Sequence, residues 1–132
     1  MSFILHPDFN NKIFVKDLKL CKILVEPILD LKWVILVPMV NNAKNILDLD
    51  QNLQNLLWYE INLVSKTINT TLKPDQLNIS MLGNKTPQLH CHIIARFTHD
   101  PFWPNAPFGL QTNPAHPYEL SDFTTSLLQI NP

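Results

Sequence analysis

The stretch 33–37, WVILV, constrains the fold more than any other part of the chain. Side chains alternate faces along a strand, so five apolar residues in succession leave neither face for water. Such a run reads as a central strand covered on both sides, closed here by Pro38. A chain of 132 residues, 45% of them apolar, has enough material for one such layered domain.

A cover for the sheet is legible next. Leu53, Leu57, Ile61, Val64 and Ile68 step by 4, 4, 3 and 4, which lines one face of a helix. Asp50 stands where an N-cap belongs, and Pro74 lies beyond the last apolar position as a stop signal. Residues 42–49 connect the central strand to this helix. Upstream, 13–18 and 21–25 read as short strands about a turn. Downstream, 76–82 alternates as a strand, Gly83-Asn84 supplies turn chemistry, and Pro87 opens a further strand over 88–97. These two strands are expected to form a hairpin. Five prolines between 101 and 117 make an irregular loop, and 119–130 suits a short helix buried through Leu120, Phe123, Leu127 and Leu128. The order of elements predicts an α+β domain with a mostly antiparallel five-stranded sheet, one long helix and a short C-terminal helix. The whole of 1–132 is read as a single domain, with its core over about 13–97 and the Pro-rich loop and C-terminal helix over 98–132.

Several function classes are disfavoured. The net charge is −1, with no Lys/Arg block, so neither nucleic acid nor an acidic membrane surface is an expected partner. No apolar run approaches the length of a membrane span, and the start carries no recognisable leader. Cys21 and Cys91 are two distant thiols rather than a disulfide framework, which fits a reduced, cytoplasmic protein. The three N-x-S/T sequons, at Asn69, Asn78 and Asn84, are read as chance in an Asn-rich chain.

The stretch 88–96, QLHCHIIAR, is where chemistry concentrates. Leu89, Cys91, Ile93, Ala95 and Phe97 share one face of the expected strand. Gln88, His90, His92, Ile94 and Arg96 share the other, with His90 and His92 about 7 Å apart at Cα. Three readings fit. The polar face is a solvated outer face of the sheet. Or His-x-His chelates a metal, although Cys91 points away and His6, His99 and His116 cannot be placed as further ligands. Or the pair works on phosphorus: a neutral imidazole attacks, and a second imidazole donates to a phosphate oxygen or the leaving group. Two close imidazoles resist double protonation, which keeps one free to attack at neutral pH. Backbone N–H groups and the Asn84 amide of the GNKTP turn can meet phosphate oxygens.

The stretch LNISMLGNKTPQLHCHIIARF resembles the signature region of the histidine triad (HIT) hydrolases. That family's pattern is His-φ-His-φ-His-φ-φ, with φ apolar, after a Gly-containing turn and a paired strand. Gln88-Leu89-His90-Cys91-His92-Ile93-Ile94 follows it, and Gly83 and Asn84 fall seven and six residues before His90. The KWVILVP strand and the following helix fit as well. The resemblance covers roughly 13–97 and is nearest to short bacterial proteins described as diadenosine tetraphosphate hydrolase-like.

The resemblance implies a HIT-like fold, a homodimer with the sheet continued across the two-fold, and a nucleotide or dinucleoside polyphosphate as substrate; no cofactor is expected, and no metal, for want of a third ligand beside the two histidines. It implies cleavage at the α-phosphorus through a nucleotidyl-histidine intermediate. His90 would be the nucleophile and His92 would stabilise the transition state. Asn84, with Gly83, would contact the phosphates, and Asn78 would lie near the phosphate or ribose. Glu26 is the nearest acidic residue for the ribose, with a one-residue shift. Gln88 departs from the family's first histidine. It can position the other two but cannot carry a proton at neutral pH, which favours leaving groups that depart easily. A nucleotide-binding module with little turnover is the rival reading, and a metal-dependent phosphatase or structural zinc protein the third. Arg96 and Trp103 could reach a site, but structural pairing and loop anchoring are the simpler roles for them.

Overall fold

A computed structural model describes residues 2–132. The five strands are β1 (Ile13–Asp17), β2 (Cys21–Val25), β3 (Lys32–Pro38), β4 (Gln76–Ser80) and β5 (Cys91–Arg96), and the helices are α1 (Gln51–Leu72) and α2 (Ser121–Leu128). All neighbouring strands are antiparallel in the order β1-β2-β3-β5-β4, which puts β3 at the centre.

The helix reading holds in detail. Asp50 Oδ1 accepts from Leu53 N at 2.9 Å, and the helix ends where Lys73 turns into the left-handed region, just before Pro74. Leu57, Ile61, Val64 and Ile68 meet Val34, Leu36, Cys91, Ile93 and Ala95 in the larger apolar core. Glu60 is also on this face and fully buried. Its carboxylate accepts from Leu20 N at 3.0 Å and Cys21 N at 2.7 Å, so α1 grips the β1–β2 turn through charge-assisted bonds. No described helix is long and apolar enough to cross a membrane.

The second cover that WVILV demands comes from segments with no regular periodicity. Trp33, Ile35 and Val37 pack with Leu24 and Ile94 under Phe9, Phe3 and Leu5 from the N-terminal segment and Phe102 and Phe108 from the Pro-rich loop. The histidine-bearing face of β5 is therefore buried, and the solvated-face reading fails. The expected 76–82/88–97 hairpin is also shorter than its sequence suggests. Ser80 pairs with His92, and 81–90 leaves the sheet as a ten-residue connection. Leu89 N donates to Ala43 O at 2.8 Å rather than to β4, which draws the chain off the ladder before Cys91.

Candidate active site

His90 and His92 sit where β5 begins, on the face opposite Leu89, Cys91 and Ile93. Their ring centroids are 4.8 Å apart with the planes at 78°. His90 Nδ1 lies 2.6 Å from Gln88 O. A carbonyl can only accept, so Nδ1 carries the proton and a neutral His90 presents its lone pair at Nε2. On the other ring, Trp33 Nε1 lies 3.0 Å from His92 Nδ1. Burial holds the His90 imidazole below its ordinary value. Burial, with His90 adjacent, pushes His92 down to about 4. Both rings are thus neutral at pH 7, as a nucleophile and a hydrogen-bond donor require.

The rings are enclosed rather than presented to solvent: His90 is 5% exposed and His92 7%. Phe9 meets His90 edge-on at 5.0 Å, and Phe108 meets His92 at 4.9 Å. Phe9 also lines an open-sided bowl of about 570 Å³, together with Leu24, Phe14, Lys12 and the Lys22–Asp17 ion pair. The histidines and this bowl thus share a partition one side chain thick.

The other sequence-predicted residues divide into those near the pair and those tied elsewhere. Gly83 is near: a Cβ there would stand 3.5 Å from His90 Cε1, an ordinary contact, and 3.2 Å from Thr86 O, a tight one, so a larger residue would have to push the 81–90 connection back slightly. Asn84 follows it, exposed at the loop surface. Gln88 contributes its carbonyl to His90, but its side chain faces the N-terminal segment, donating to Ile4 O at 2.9 Å and accepting from His6 N at 2.8 Å. It positions the pair through the main chain. Asn78 lies on the histidine face of β4, yet its Oδ1 accepts from Arg96 Nη1 at 2.8 Å. Glu26 is bound to Lys12 at 2.6 Å. His6, His99 and His116 do not join the pair: His6 Nδ1 accepts from Asp8 N, and the other two stack on Phe97 and Tyr118.

Arg96 and Trp103 take the structural roles. Arg96, 1% exposed, holds Asp100 through Nε at 2.8 Å and Nη2 at 3.1 Å, and its guanidinium lies 5.8 Å from the Trp103 ring centre. Burial alone would raise the Asp100 carboxyl, but the Arg96 hydrogen bonds and those from Phe97 N and Phe102 N hold it down at about 2. This cluster pins the start of the Pro-rich loop. Its end is pinned by Asn113 Nδ2 to Asp30 Oδ1 at 2.9 Å and by Ala115 N to Pro27 O at 2.9 Å. Phe108 hangs between the two anchors.

Sequence reasoning missed Phe9, Lys12, Trp33, Thr86 and Phe108. Trp33 was within reach, since strand parity puts it with Ile35 on one face. Thr86, whose hydroxyl donates to Asp8 Oδ2 at 2.7 Å, and Phe108 are brought in by contacts far apart in sequence and carry no local signal.

Comparisons with known proteins agree with the fold. Residues 9–99 match the family model described as HIT domain. A histidine triad protein from Bradyrhizobium japonicum is 39% identical, with a TM-score of 0.93 and 98% of each chain covered. Histidine triad proteins from Sinorhizobium meliloti 1021 and Marinobacter aquaeolei VT8 are each 30% identical with a TM-score of 0.92, over 98% of this chain and 97% and 96% of theirs. A hypothetical histidine triad nucleotide-binding protein from Sulfolobus tokodaii shares the fold at 18% identity, with a TM-score of 0.65 over 89% of this chain and 81% of its own. A search of curated proteins found no match.

Proposed function

The chain belongs to the HIT domain family, and from that premise we propose that it is a nucleotide hydrolase or nucleotidyl transferase acting at the α-phosphorus of dinucleoside polyphosphates or nucleoside phosphoramidates. The observation that carries this reading is the His90 tautomer. With Nδ1–H donated to Gln88 O at 2.6 Å, the Nε2 lone pair is the one free to attack.

His90 Nε2 forms a bond to the α-phosphorus as the bond from phosphorus to the leaving group breaks, and that group departs with the electron pair. Water then attacks the same phosphorus, displaces the imidazole nitrogen and gives up a proton, yielding the nucleoside monophosphate. His92 donates to a phosphoryl oxygen as charge grows there, in a site dry enough for that bond to count. In this reading Gly83, beside His90, and the neighbouring Asn84 would border the phosphates, and Glu26, paired with Lys12, would serve the ribose. The bowl behind Phe9, with Phe14 and Leu24 in its lining, suits a base. The enclosure sets a condition: the rings that cover the pair, Phe9 on His90 and Phe108 on His92, must make room before a phosphoryl group can meet both imidazoles.

Gln88 shapes the substrate range. Its amide is engaged with the N-terminal segment and has no proton to give, so a good leaving group, such as a polyphosphate, is favoured over an amine. The diadenosine tetraphosphate hydrolase-like branch fits this preference. A homodimer is part of the same reading. It is supported by the unpaired outer edge of β4, where Ile79 is 42% exposed.

The same Gln88 side chain and the near-complete burial of both rings favour the rival reading, a nucleotide-binding protein with little turnover. Incubation with diadenosine tetraphosphate, with and without a chelator, separates the possibilities. Chelator-resistant release of AMP, abolished in His90→Ala, is the expected result. Tight AMP binding without turnover would install the rival, and loss of activity with chelator would point to a metal enzyme.

A further inference from the structure

We propose that Trp33 fixes the single proton of neutral His92 on Nε2, and so makes that ring a dedicated donor toward the phosphoryl group. Trp33 is in this sense a positioning residue. The inference deepens the proposed function and rests on it for its catalytic meaning, but the proton assignment stands on geometry alone.

Ile35 pairs with His92 and Trp33 with Ile94, so Trp33 and His92 are diagonal neighbours on one face of the β3–β5 ladder. The indole meets the imidazole nearly edge-on, with centroids 5.6 Å apart at 70°, and its Nε1 is 3.0 Å from Nδ1. Phe108 packs against both rings, at 4.9 Å from His92 and 5.3 Å from Trp33, which holds the pair in this orientation. An indole N–H donates and cannot accept. Nδ1 must therefore offer its lone pair, and the one proton of the neutral ring resides on Nε2.

The same contact resists protonation. A proton on Nδ1 would set two N–H groups against each other in a buried place. The charged and titratable groups that bear on His92 act in the same direction: His90 beside it and Lys12 from the segment before β1 both disfavour a second positive charge. Only the Leu82 carbonyl works the other way. Two histidines of one stretch thus acquire opposite tautomers from opposite partners. A backbone acceptor at His90 leaves Nε2 bare for attack, and a side-chain donor at His92 leaves Nε2 protonated for donation.

The test is ¹⁵N NMR of the full chain. In the wild type, His92 should show an unprotonated Nδ1 and a protonated Nε2, with a scalar coupling across the hydrogen bond from Trp33 Nε1 to His92 Nδ1. Trp33→Phe keeps an aromatic ring and removes the N–H. There the coupling vanishes, the Nδ1–H tautomer becomes populated, and the His92 titration midpoint rises. With diadenosine tetraphosphate as probe, kcat should fall about three- to tenfold, the worth of one neutral hydrogen bond, with KM little changed. A protonated Nδ1 in the wild type overturns the proposal outright, and that spectrum decides the matter even if Trp33→Phe does not fold. An unchanged tautomer and midpoint in a folded Trp33→Phe protein overturn it too. Failure of the nucleotidyl transfer reading looks different: correct wild-type tautomers with no label ever trapped on His90.

Discussion

Acidification is the perturbation with the clearest magnitude. His92 is held near pKa 4 in the folded chain, by burial first and by His90 second, against an ordinary value of 6.5. The folded protein resists a proton that the unfolded chain accepts. Between pH 6.5 and 4 the unfolded state therefore binds more protons, and stability falls as pH falls through that window. Above 6.5 the ring is neutral in both states, and below 4 it is charged in both, so its contribution is flat at either end. At ~1.4 kcal/mol per pH unit, the full loss attributable to this one ring is about 3 kcal/mol. Other groups titrate in the same range, so the assay is urea denaturation of the wild type and His92→Asn across pH 4–8. The Asn carbonyl can still accept from Trp33 Nε1. The wild-type curve should drop more steeply on acidification, by about 3 kcal/mol in the difference between the two proteins. Parallel curves would refute the reasoning, because His92 would then be no harder to protonate in the folded chain than in the unfolded one.

Two further substitutions probe the frame and the cover. Glu60→Ala removes the acceptor for Leu20 N and Cys21 N, and at ~1.5–3 kcal/mol per charge-assisted bond it should cost roughly 3–5 kcal/mol in thermal or chemical unfolding. A loss under about 1 kcal/mol would mean that the grip of α1 on the β1–β2 turn contributes little. Phe108→Ala opens the cover over His92 and Trp33. It should speed modification of the histidines by diethyl pyrocarbonate several-fold while costing about 1–3 kcal/mol, as a half-buried Phe truncation does. An unchanged modification rate would locate the entrance at Phe9 instead.

Legibility in the sequence followed the range of the interactions. The cap at Asp50, the α1 stripe and the alternation of 89–97 depend on neighbours within a few residues, and each stands where the pattern puts it. The demand of WVILV for two covers was legible too, but not the identity of the second. That cover is built from Phe9 and Phe108, joined to the sheet across nearly the whole chain by a 3-10 turn and a loop with no period to read. For the same reason a solvated polar face on 88–96 stayed open as one reading of the sequence, and the buried rings close it. Arg96 resolves on Asp100, four residues away, a spacing the sequence displays but that only the fold selects over a phosphate. Gln88 shows the opposite limit. Its place in the triad pattern was plain, yet its side chain serves the N-terminal segment and its carbonyl serves His90, a split between side chain and backbone that no residue letter encodes.

The central claim is that His90 Nε2 becomes bonded to phosphorus. Its most direct test is to mix the protein with diadenosine tetraphosphate carrying radiolabel in the adenylate moiety, quench in alkali or denaturant within the first turnovers, and map the label by peptide digestion. The expected product is an acid-labile adenylate on the peptide bearing His90, present in the wild type and in Cys91→Ala and missing from His90→Ala. Label retained in His90→Ala, or stable to acid, would contradict it.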